Sequence, residues 1–111
     1  MGKKKGGEVR KKVERFKSAL KKKFDVEKII LFGSAAKGKV SEHSDVDLIL
    51  ISRKYGRRDV FRIVPKLYEV WHEKQKIEYP VDIILLNTRE FERLKKQVSI
   101  VSEALKEGIV I

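Results

Sequence analysis

The sequence predicts a small α/β domain, in which a mixed β-sheet carries helices mainly on one of its sides. Three observations support this fold class: apolar runs of strand length, apolar stripes of helical spacing between them, and a length of 111 residues, which suits one domain. Hydrophobic residues make up 41% of the chain and charged residues 39%, as expected of a folded, highly charged protein. We expect a disordered basic tail over residues 1–7 and a single domain over residues 8–111.

The first half of the domain is predicted to be one helix followed by two strands. From Glu8, apolar residues recur every three or four positions as far as Phe24, which is typical of an amphipathic helix. Residues 26–32 (VEKIILF) and 45–52 (DVDLILIS) are apolar runs of strand length, the second with a polar entrance. The segment 33–44 between them is small, polar and punctuated by glycine, so it is predicted to begin as a turn.

The second half is predicted to continue with a helix, a strand and a further helix. Residues 60–76 have apolar side chains at helical spacing, with Pro65 either in a first turn or at a kink. Residues 81–86 (VDIILL) are predicted to form the third strand.

The end of the chain is predicted to hold an interrupted helix and an edge strand. Asn87, with Glu90 three positions later, resembles a capping box that opens a helix. That helix is expected to break near residues 97–99 and to resume over residues 100–106. Residues 109–111 follow a glycine and are predicted to form a short edge strand.

Positive charge is concentrated at the start of the chain. The net charge is +11, and residues 1–23 hold eleven of the 27 Lys and Arg residues but only two of the 16 acidic ones. A nucleic-acid partner for this basic first helix therefore stays open beside the simpler interpretation of a solvated, lysine-rich face. The chain has no cysteine and no apolar stretch near the ~20 residues that span a bilayer, so we expect a cytoplasmic protein without a membrane partner.

Five residues suggest a chemical site. Gly33 and Ser34 directly follow the first predicted strand, Asp45 and Asp47 open the second, and Asp82 lies inside the third. Alternation along a strand places Asp45 and Asp47 on one face, where like charges repel, and Asp82 adds to the repulsion if its strand is a neighbour. A divalent cation would neutralise such a cluster, and oxygen ligands without cysteine favour Mg²⁺ or Mn²⁺.

Gly33 and Ser34 add a feature that binds anions. A glycine after a buried strand lets backbone N–H groups approach a phosphate closely, and the Ser34 hydroxyl adds a donor. Alone, a Gly-Ser pair is an ordinary turn, and an isolated Asp-x-Asp pattern more often faces solvent. Combined with Asp82, the two patterns describe a site for a metal-bound triphosphate.

The segment 31–34 (LFGS), ten further residues and then 45–49 (DVDLI) resemble the signature of the DNA polymerase β-like nucleotidyltransferase superfamily. Over nearly the whole domain, the chain is most similar to the minimal nucleotidyltransferases of archaea and bacteria. The resemblance implies the nucleotidyltransferase fold and makes residues 8–111 one minimal domain of this kind. It assigns nucleotide binding to Gly33 and Ser34, and both catalysis and metal binding to Asp45, Asp47 and Asp82.

The implied activity is transfer of a nucleoside monophosphate from a nucleoside triphosphate, with ATP as the expected nucleotide, to a hydroxyl acceptor. Asp82 would accept the proton of the attacking hydroxyl as pyrophosphate leaves. Many relatives have Arg or Tyr directly after Gly-Ser, whereas this sequence has Ala35, so any substrate contact made there is lost. Lys37 stands where relatives often carry Arg, as a source of phosphate-binding charge or as a solvated lysine.

The resemblance also implies a protein partner. Minimal relatives are commonly paired with an all-α HEPN protein, often as the antitoxin that modifies that toxin with AMP. The alternative is a catalytically weak antitoxin that neutralises an all-α partner by steric contact. A third interpretation is an enzyme that modifies nucleic-acid ends, or an RNA binder, that uses the basic first helix.

Two sets of side chains are left open by the sequence. Tyr68, Trp71 and residues 109–111 are candidate contacts for a partner or for a homo-oligomer, with packing in the protein's own core as the competing interpretation. His43 and His72 each stand alone, so they are interpreted as surface or packing residues rather than metal ligands.

Overall fold

A computed structural model of the protein describes the backbone of residues 2–38 and 45–111, and side chains from Gly7 onward within those ranges. His43 lies outside the described residues. The helices and strands are, in chain order, α1 (Gly2–Leu20), β1 (Val26–Phe32), β2 (Val46–Ser52), α2 (Val60–Glu69), β3 (Val81–Asn87), α3 (Thr88–Leu94), α4 (Ile100–Glu107) and β4 (Ile109–Val110). None of the described helices is long and apolar enough to cross a membrane.

The four strands form one mixed sheet in the order β3-β2-β1-β4. Strand β1 runs antiparallel to both β2 and β4, whereas β2 and β3 are parallel. In this register Asp47 on β2 lies between Phe32 on β1 and Asp82 on β3. The predicted α/β class with a small mixed sheet is confirmed, and the adjacency of β2 and β3 fulfils the condition for repulsion between their aspartates.

The sheet has a hydrophobic core on each face. The larger core lies under α1 and α2, where the rings of Phe16 and Trp71 meet edge to face at 5.0 Å between centroids. On the opposite face, Phe91 of α3 and Val101 and Ala104 of α4 pack against a smaller apolar cluster. The prediction of helices mainly on one side is therefore confirmed for the two long helices, and the short helices add a second, smaller layer.

Helix boundaries differ from the sequence prediction at two places. The backbone of residues 2–7 is helical, whereas the sequence predicted a disordered tail there, and the buried stripe of α1 begins at Val9. Pro65 lies inside α2 rather than in its first turn, so the carbonyl of Phe61 loses its helical N–H partner. A π-helical turn, Val70–Lys74, then extends α2 to nearly the predicted length.

Trp71 is not a partner contact. Its side chain is fully buried, and its indole N–H donates a hydrogen bond to the carbonyl of Tyr79 at 2.8 Å. A buried tryptophan with a satisfied N–H is a core residue, so the candidate role of Trp71 at an interface is wrong. Tyr68 is half-buried against the larger core, as are Ile109 and Ile111.

Candidate active site

Two of the three candidate carboxylates, those of Asp47 and Asp82, lie on the sheet face that α3 and α4 cover only in part. Alternation along β2 puts Asp47 on the same face as Ile49 and Ile51, while Val46 is fully buried in the larger core. Strand β2 begins at Val46, so Asp45 directly precedes it instead of belonging to it. Asp47 is half-buried and Asp45 and Asp82 are exposed, which leaves this end of the face open to a ligand.

Gly33 allows the chain to pass directly over the carboxylate of Asp47. A Cβ atom at Gly33 would lie 2.5 Å from Oδ2 of Asp47, so no other residue type fits here without a shift. The φ angle of Gly33 is +74°, in the left-handed region that glycine adopts freely. The close neighbour of Gly33 in the structure is therefore the Asp47 carboxylate.

The turn after β1 is a 3-10 turn over Gly33–Ala35. Ser34 is exposed, so its hydroxyl is free to meet a ligand from solvent. Ala35, at the position where relatives often have Arg or Tyr, is buried in the larger core. The turn continues through Lys37, whose backbone N–H donates to the carbonyl of Ser34 at 3.1 Å.

Lys37 has a partner that the sequence did not suggest. Its Nζ lies 3.2 Å from Oε2 of Glu107, at the end of α4. The side chain of Lys37 is 50% exposed and that of Glu107 is 62% exposed. An exposed ion pair of this kind is weak, about 0–1 kcal/mol. It nevertheless connects the turn to α4 and offsets part of the charge that Lys37 would offer a phosphate. A lone Glu at a helix end carries no sequence signal that could have identified this contact.

The electrostatics of the site disfavour a negative charge on Asp47. Burial, together with the charges of Asp82 and Asp45, raises the pKa of the Asp47 carboxyl above its ordinary value. Each cause disfavours the ionised form of Asp47, which is what the sequence predicted for three clustered carboxylates. A bound cation would reverse this effect, because its charge favours the ionised form.

The carboxylate oxygens of Asp45, Asp47 and Asp82 are suitable ligands for a hard divalent cation, but the three side chains are not gathered around one point. Among the described residues, no three acidic or histidine side chains lie close enough together to hold a metal ion. A bound cation would have to draw these carboxylates together and would offset the repulsion among their charges. Carboxylate oxygens in a half-open position are the ligands that Mg²⁺ and Mn²⁺ prefer.

Comparisons with known proteins agree with this fold. Residues 14–110 match the family model described as polymerase beta, nucleotidyltransferase. The crystal structure, at 1.40 Å resolution, of a candidate nucleotidyltransferase from Sulfolobus solfataricus is similar to the chain with a TM-score of 0.51 and 20% sequence identity, over 96% of this chain and 78% of that one. At this identity the similarity supports the fold alone. No curated protein matches the chain significantly.

Proposed function

Because the chain belongs to the polymerase beta nucleotidyltransferase family, we propose that it transfers a nucleoside monophosphate, with ATP as donor, to a hydroxyl acceptor. The observation that carries the proposal is the crowding of Asp47. Its carboxylate lies against Gly33, its strand neighbour is Asp82, and its pKa is raised. A carboxylate cluster in this state gains strongly from a cation that arrives with a triphosphate.

Each residue of the site has a role in this reaction. Asp45, Asp47 and Asp82 would hold Mg²⁺ or Mn²⁺, which when bound neutralises charge on the triphosphate. Ser34 and the first backbone N–H groups of its turn, ahead of those of Ala36 and Lys37 that donate within the turn, would bind phosphate oxygens, because Gly33 carries no side chain.

The transfer step needs a proton acceptor near the attacking oxygen. Asp82 lies on the edge strand β3 and is exposed, so its carboxylate can take the proton of the acceptor hydroxyl. The acceptor oxygen then bonds to the α-phosphorus, and the bond from the α-phosphorus to the bridging oxygen breaks as pyrophosphate leaves.

The proposed acceptor is an all-α protein of the HEPN type, which the chain would modify with AMP as an antitoxin. The open side of the carboxylate site supports a macromolecular acceptor, because Asp45 and Asp82 are exposed beyond the cover of α3 and α4. Since nucleoside triphosphates are made and kept in the cytoplasm, the proposed reaction places the protein there.

A thermal-shift measurement tests the nucleotide and metal site directly. We expect ATP with Mg²⁺ or Mn²⁺, near a hundred times its dissociation constant, to raise the melting temperature by about 10 °C. Asp47→Asn should abolish the shift, whereas Asp25→Asn, a matched loss of one carboxylate whose partner is Arg53, should keep it. If the wild-type protein shows no shift with either ion, the site assignment is wrong.

A labelling experiment tests the transfer. The purified chain is incubated with its co-expressed α-helical partner and with ATP labelled on either the α- or the γ-phosphate. Nucleotidyl transfer labels the acceptor from the α-phosphate only, whereas phosphoryl transfer labels it from the γ-phosphate only. Label that disappears in Asp45→Asn supports the enzyme. A tight complex that stays unmodified with every common triphosphate would instead support the steric antitoxin.

A further inference from the structure

A charged surface lies at the end of the sheet away from the carboxylates. Strand β2 ends there at Ser52, five residues after Asp47 and about 17 Å from it along an extended strand. We define the Phe61 surface as the side chains of Lys23, Lys54, Arg57, Arg58, Phe61 and Arg62, all of which are exposed. It shares no residue with the proposed transfer site, so it does not depend on that proposal.

Phe61 is the least covered aromatic side chain in the described residues, with 96% of its surface exposed. Helix α2 buries Ile63, Val64 and Leu67, which directs Phe61 outward. A single exposed apolar side chain is ordinary in a folded protein. Phe61 closely follows two exposed arginines, Arg57 and Arg58, which lie in the 3-10 turn Arg57–Asp59 that leads into α2, so an exposed ring and exposed cations share one short segment of the chain.

Stacked cations and rings join this part of α2 to the end of α1. The side chains of Lys54 and Arg62 lie 5.2 and 5.6 Å from the centroid of the Tyr55 ring. The Tyr55 ring meets Phe24 edge to face at 6.3 Å, and Lys23 lies 5.5 Å from the centroid of Phe24. Lys23, Lys54 and Arg62 of the Phe61 surface therefore lie along one strip, with the rings of Phe24 and Tyr55 beneath them.

The backbone beneath this strip is fixed by a buried serine. The hydroxyl of Ser52 donates to the carbonyl of Phe24 at 2.6 Å and accepts the N–H groups of Lys54 and Tyr55, both at 3.0 Å. Ser52 itself is fully buried. A turn held in this way presents its cations without a large ordering cost on binding.

The acidic residues close to this strip are already engaged. Asp25 pairs with Arg53 at 3.1 Å, Asp59 pairs with Arg62 at 2.8 Å, and Glu90 accepts the backbone N–H of Arg57 at 3.1 Å. Within the described residues, no ion pair occupies the side chains of Lys23, Lys54, Arg57 and Arg58. The strip thus keeps a surplus of positive charge around an exposed ring.

We propose that the Phe61 surface binds single-stranded nucleic acid, with a base stacked on Phe61 and backbone phosphates paired with the neighbouring Arg and Lys side chains. Cations alone would suit any polyanion, including an acidic protein. An exposed ring in the same short segment as exposed arginines favours a ligand that alternates flat aromatic faces with phosphates, which is a single strand with unpaired bases. A duplex hides those faces and should bind less tightly.

Fluorescence anisotropy with a labelled single strand of about 12 nucleotides, as RNA and as DNA, tests the proposal. The full chain should bind it with an affinity that falls steeply between roughly 50 and 200 mM salt. Phe61→Ala should weaken binding about tenfold with little change in the salt slope, because it removes stacking and no charge. Phe61→Tyr keeps a ring and should retain the affinity.

The arginines should have the opposite signature. Replacement of Arg57 and Arg58 together by Ala should reduce the salt slope by about 1.4, at about 0.7 for each phosphate contact on a single strand. The matched control removes two arginines of α1 instead, Arg10 and Arg15, and should leave the slope nearly unchanged. For Phe61→Ala the control is Val98→Ala, since Val98 is 99% exposed and lies outside this surface.

Several results would overturn the assignment. Equal losses in the α1 double variant would move the binding to the basic first helix. Equal affinity for a duplex, or no effect of Phe61→Ala at unchanged melting temperature, would remove the stacking role. Displacement of the strand by poly-glutamate at equal charge, with Phe61 dispensable, would identify an acidic protein as the partner, and preferential binding to anionic lipid vesicles would identify a membrane surface.

Discussion

The two ends of the sheet treat their carboxylates in opposite ways. At the end where β2 begins, Asp47 is half-buried beside Asp82, and burial with the neighbouring negative charges raises its pKa. At the other end, the carboxylate of Asp59 accepts the N–H of Gly56 at 2.9 Å and pairs with Arg62 at 2.8 Å. These contacts, led by the hydrogen bond from Gly56, lower the pKa of Asp59. One residue type is therefore disfavoured as an anion at one end and favoured at the other.

This difference distinguishes carboxylates that accept hydrogen bonds within the protein from carboxylates that would gain from a bound cation. At the Asp59 end the acceptor capacity of the acidic groups is used within the protein: Glu90 accepts the N–H groups of Asn87 at 2.9 Å and of Arg57 at 3.1 Å. At the Asp47 end the repulsion among carboxylates is a cost that a cation would remove, so this end gains from a ligand. Substitutions at the two ends test that contrast through their effects on the free energy of unfolding.

The largest effect is expected from Gly56→Ala. A Cβ at Gly56 would lie 2.5 Å from Oε1 of Glu90 and 2.7 Å from Nδ2 of Asn87, which hold each other in the capping box of α3. Disrupting hydrogen bonds to a charged group should lower the free energy of unfolding by about 2–4 kcal/mol in urea denaturation. Gly7→Ala is the control. A Cβ at Gly7 would meet no described atom within 4 Å, so Ala there should leave the stability of the protein unchanged or raise it. Equal stability of both variants would show that a side chain at position 56 leaves the capping box of α3 undisturbed.

The next effect compares two glycines with the same backbone conformation. Gly33 and Gly38 both have a φ of +74°, so Ala at either position should cost about 1–2 kcal/mol. Gly33 has a close neighbour, Oδ2 of Asp47, whereas Gly38 has none within 4 Å among the residues that the structure describes. Gly33→Ala should therefore also weaken ATP binding, and its extra cost should disappear in an Asp47→Ala background. An extra cost that persists there would show that the carboxylate is not the obstacle.

These local contacts also show what the sequence could predict. Strand β1 was predicted at its observed bounds, and the capping box of Asn87 and Glu90 was predicted from residue types, because both depend on neighbours along the chain. For Trp71 the sequence left core packing and a partner contact both open, since helical spacing alone cannot say whether a wide apolar face meets the sheet or a partner, and its burial decides for the core. The Phe61 surface was missed because the contacts along it, such as that between the rings of Phe24 and Tyr55, join distant parts of the chain.

For the candidate site, the sequence named Asp45, Asp47 and Asp82, and the parallel pairing of β2 and β3 brings the last two side by side. The sequence also predicted one metal-binding face for all three, whereas no three acidic side chains of the described residues lie close enough together to hold an ion. The distances among these side chains depend on how the strands and their preceding loops pack, and the pairing of Lys37 with Glu107 depends on where α4 ends. Neither has a signal in residue order.

Smaller effects on the free energy of unfolding, of opposite sign, are expected from Asp47→Asn and Asp59→Asn. The raised pKa of Asp47 means that the wild-type protein loses stability as pH rises from the ordinary value of 3.8 through the folded-state value. Asp47→Asn without metal should then match or exceed wild-type stability at neutral pH. The lowered pKa of Asp59 gives stability that is present above 3.8 and is lost as pH falls through the folded-state value, so Asp59→Asn should be less stable at neutral pH.

Urea midpoints at neutral and acid pH measure this pair of predictions. Below both folded-state pKa values the carboxyls are protonated in the wild-type protein, so each variant should approach it. The two differences should therefore shrink together in acid while keeping opposite signs at neutral pH. If both variants lose stability alike at neutral pH, the contrast between the two ends is wrong.

The smallest effect on unfolding is expected from Ser34→Ala. Ser34 is exposed, and replacing such a residue usually changes the free energy of unfolding by less than about 0.5 kcal/mol. Its hydroxyl is proposed to bind a phosphate oxygen, a charged acceptor, so affinity for ATP with Mg²⁺ should fall about tenfold. Ser18→Ala, at an exposed serine of α1, is the matched control and should leave both quantities unchanged. Titration calorimetry measures the affinity for ATP with Mg²⁺, and urea denaturation measures the free energy of unfolding. A loss of stability in Ser34→Ala with unchanged affinity would place Ser34 among the structural residues and remove it from the nucleotide site.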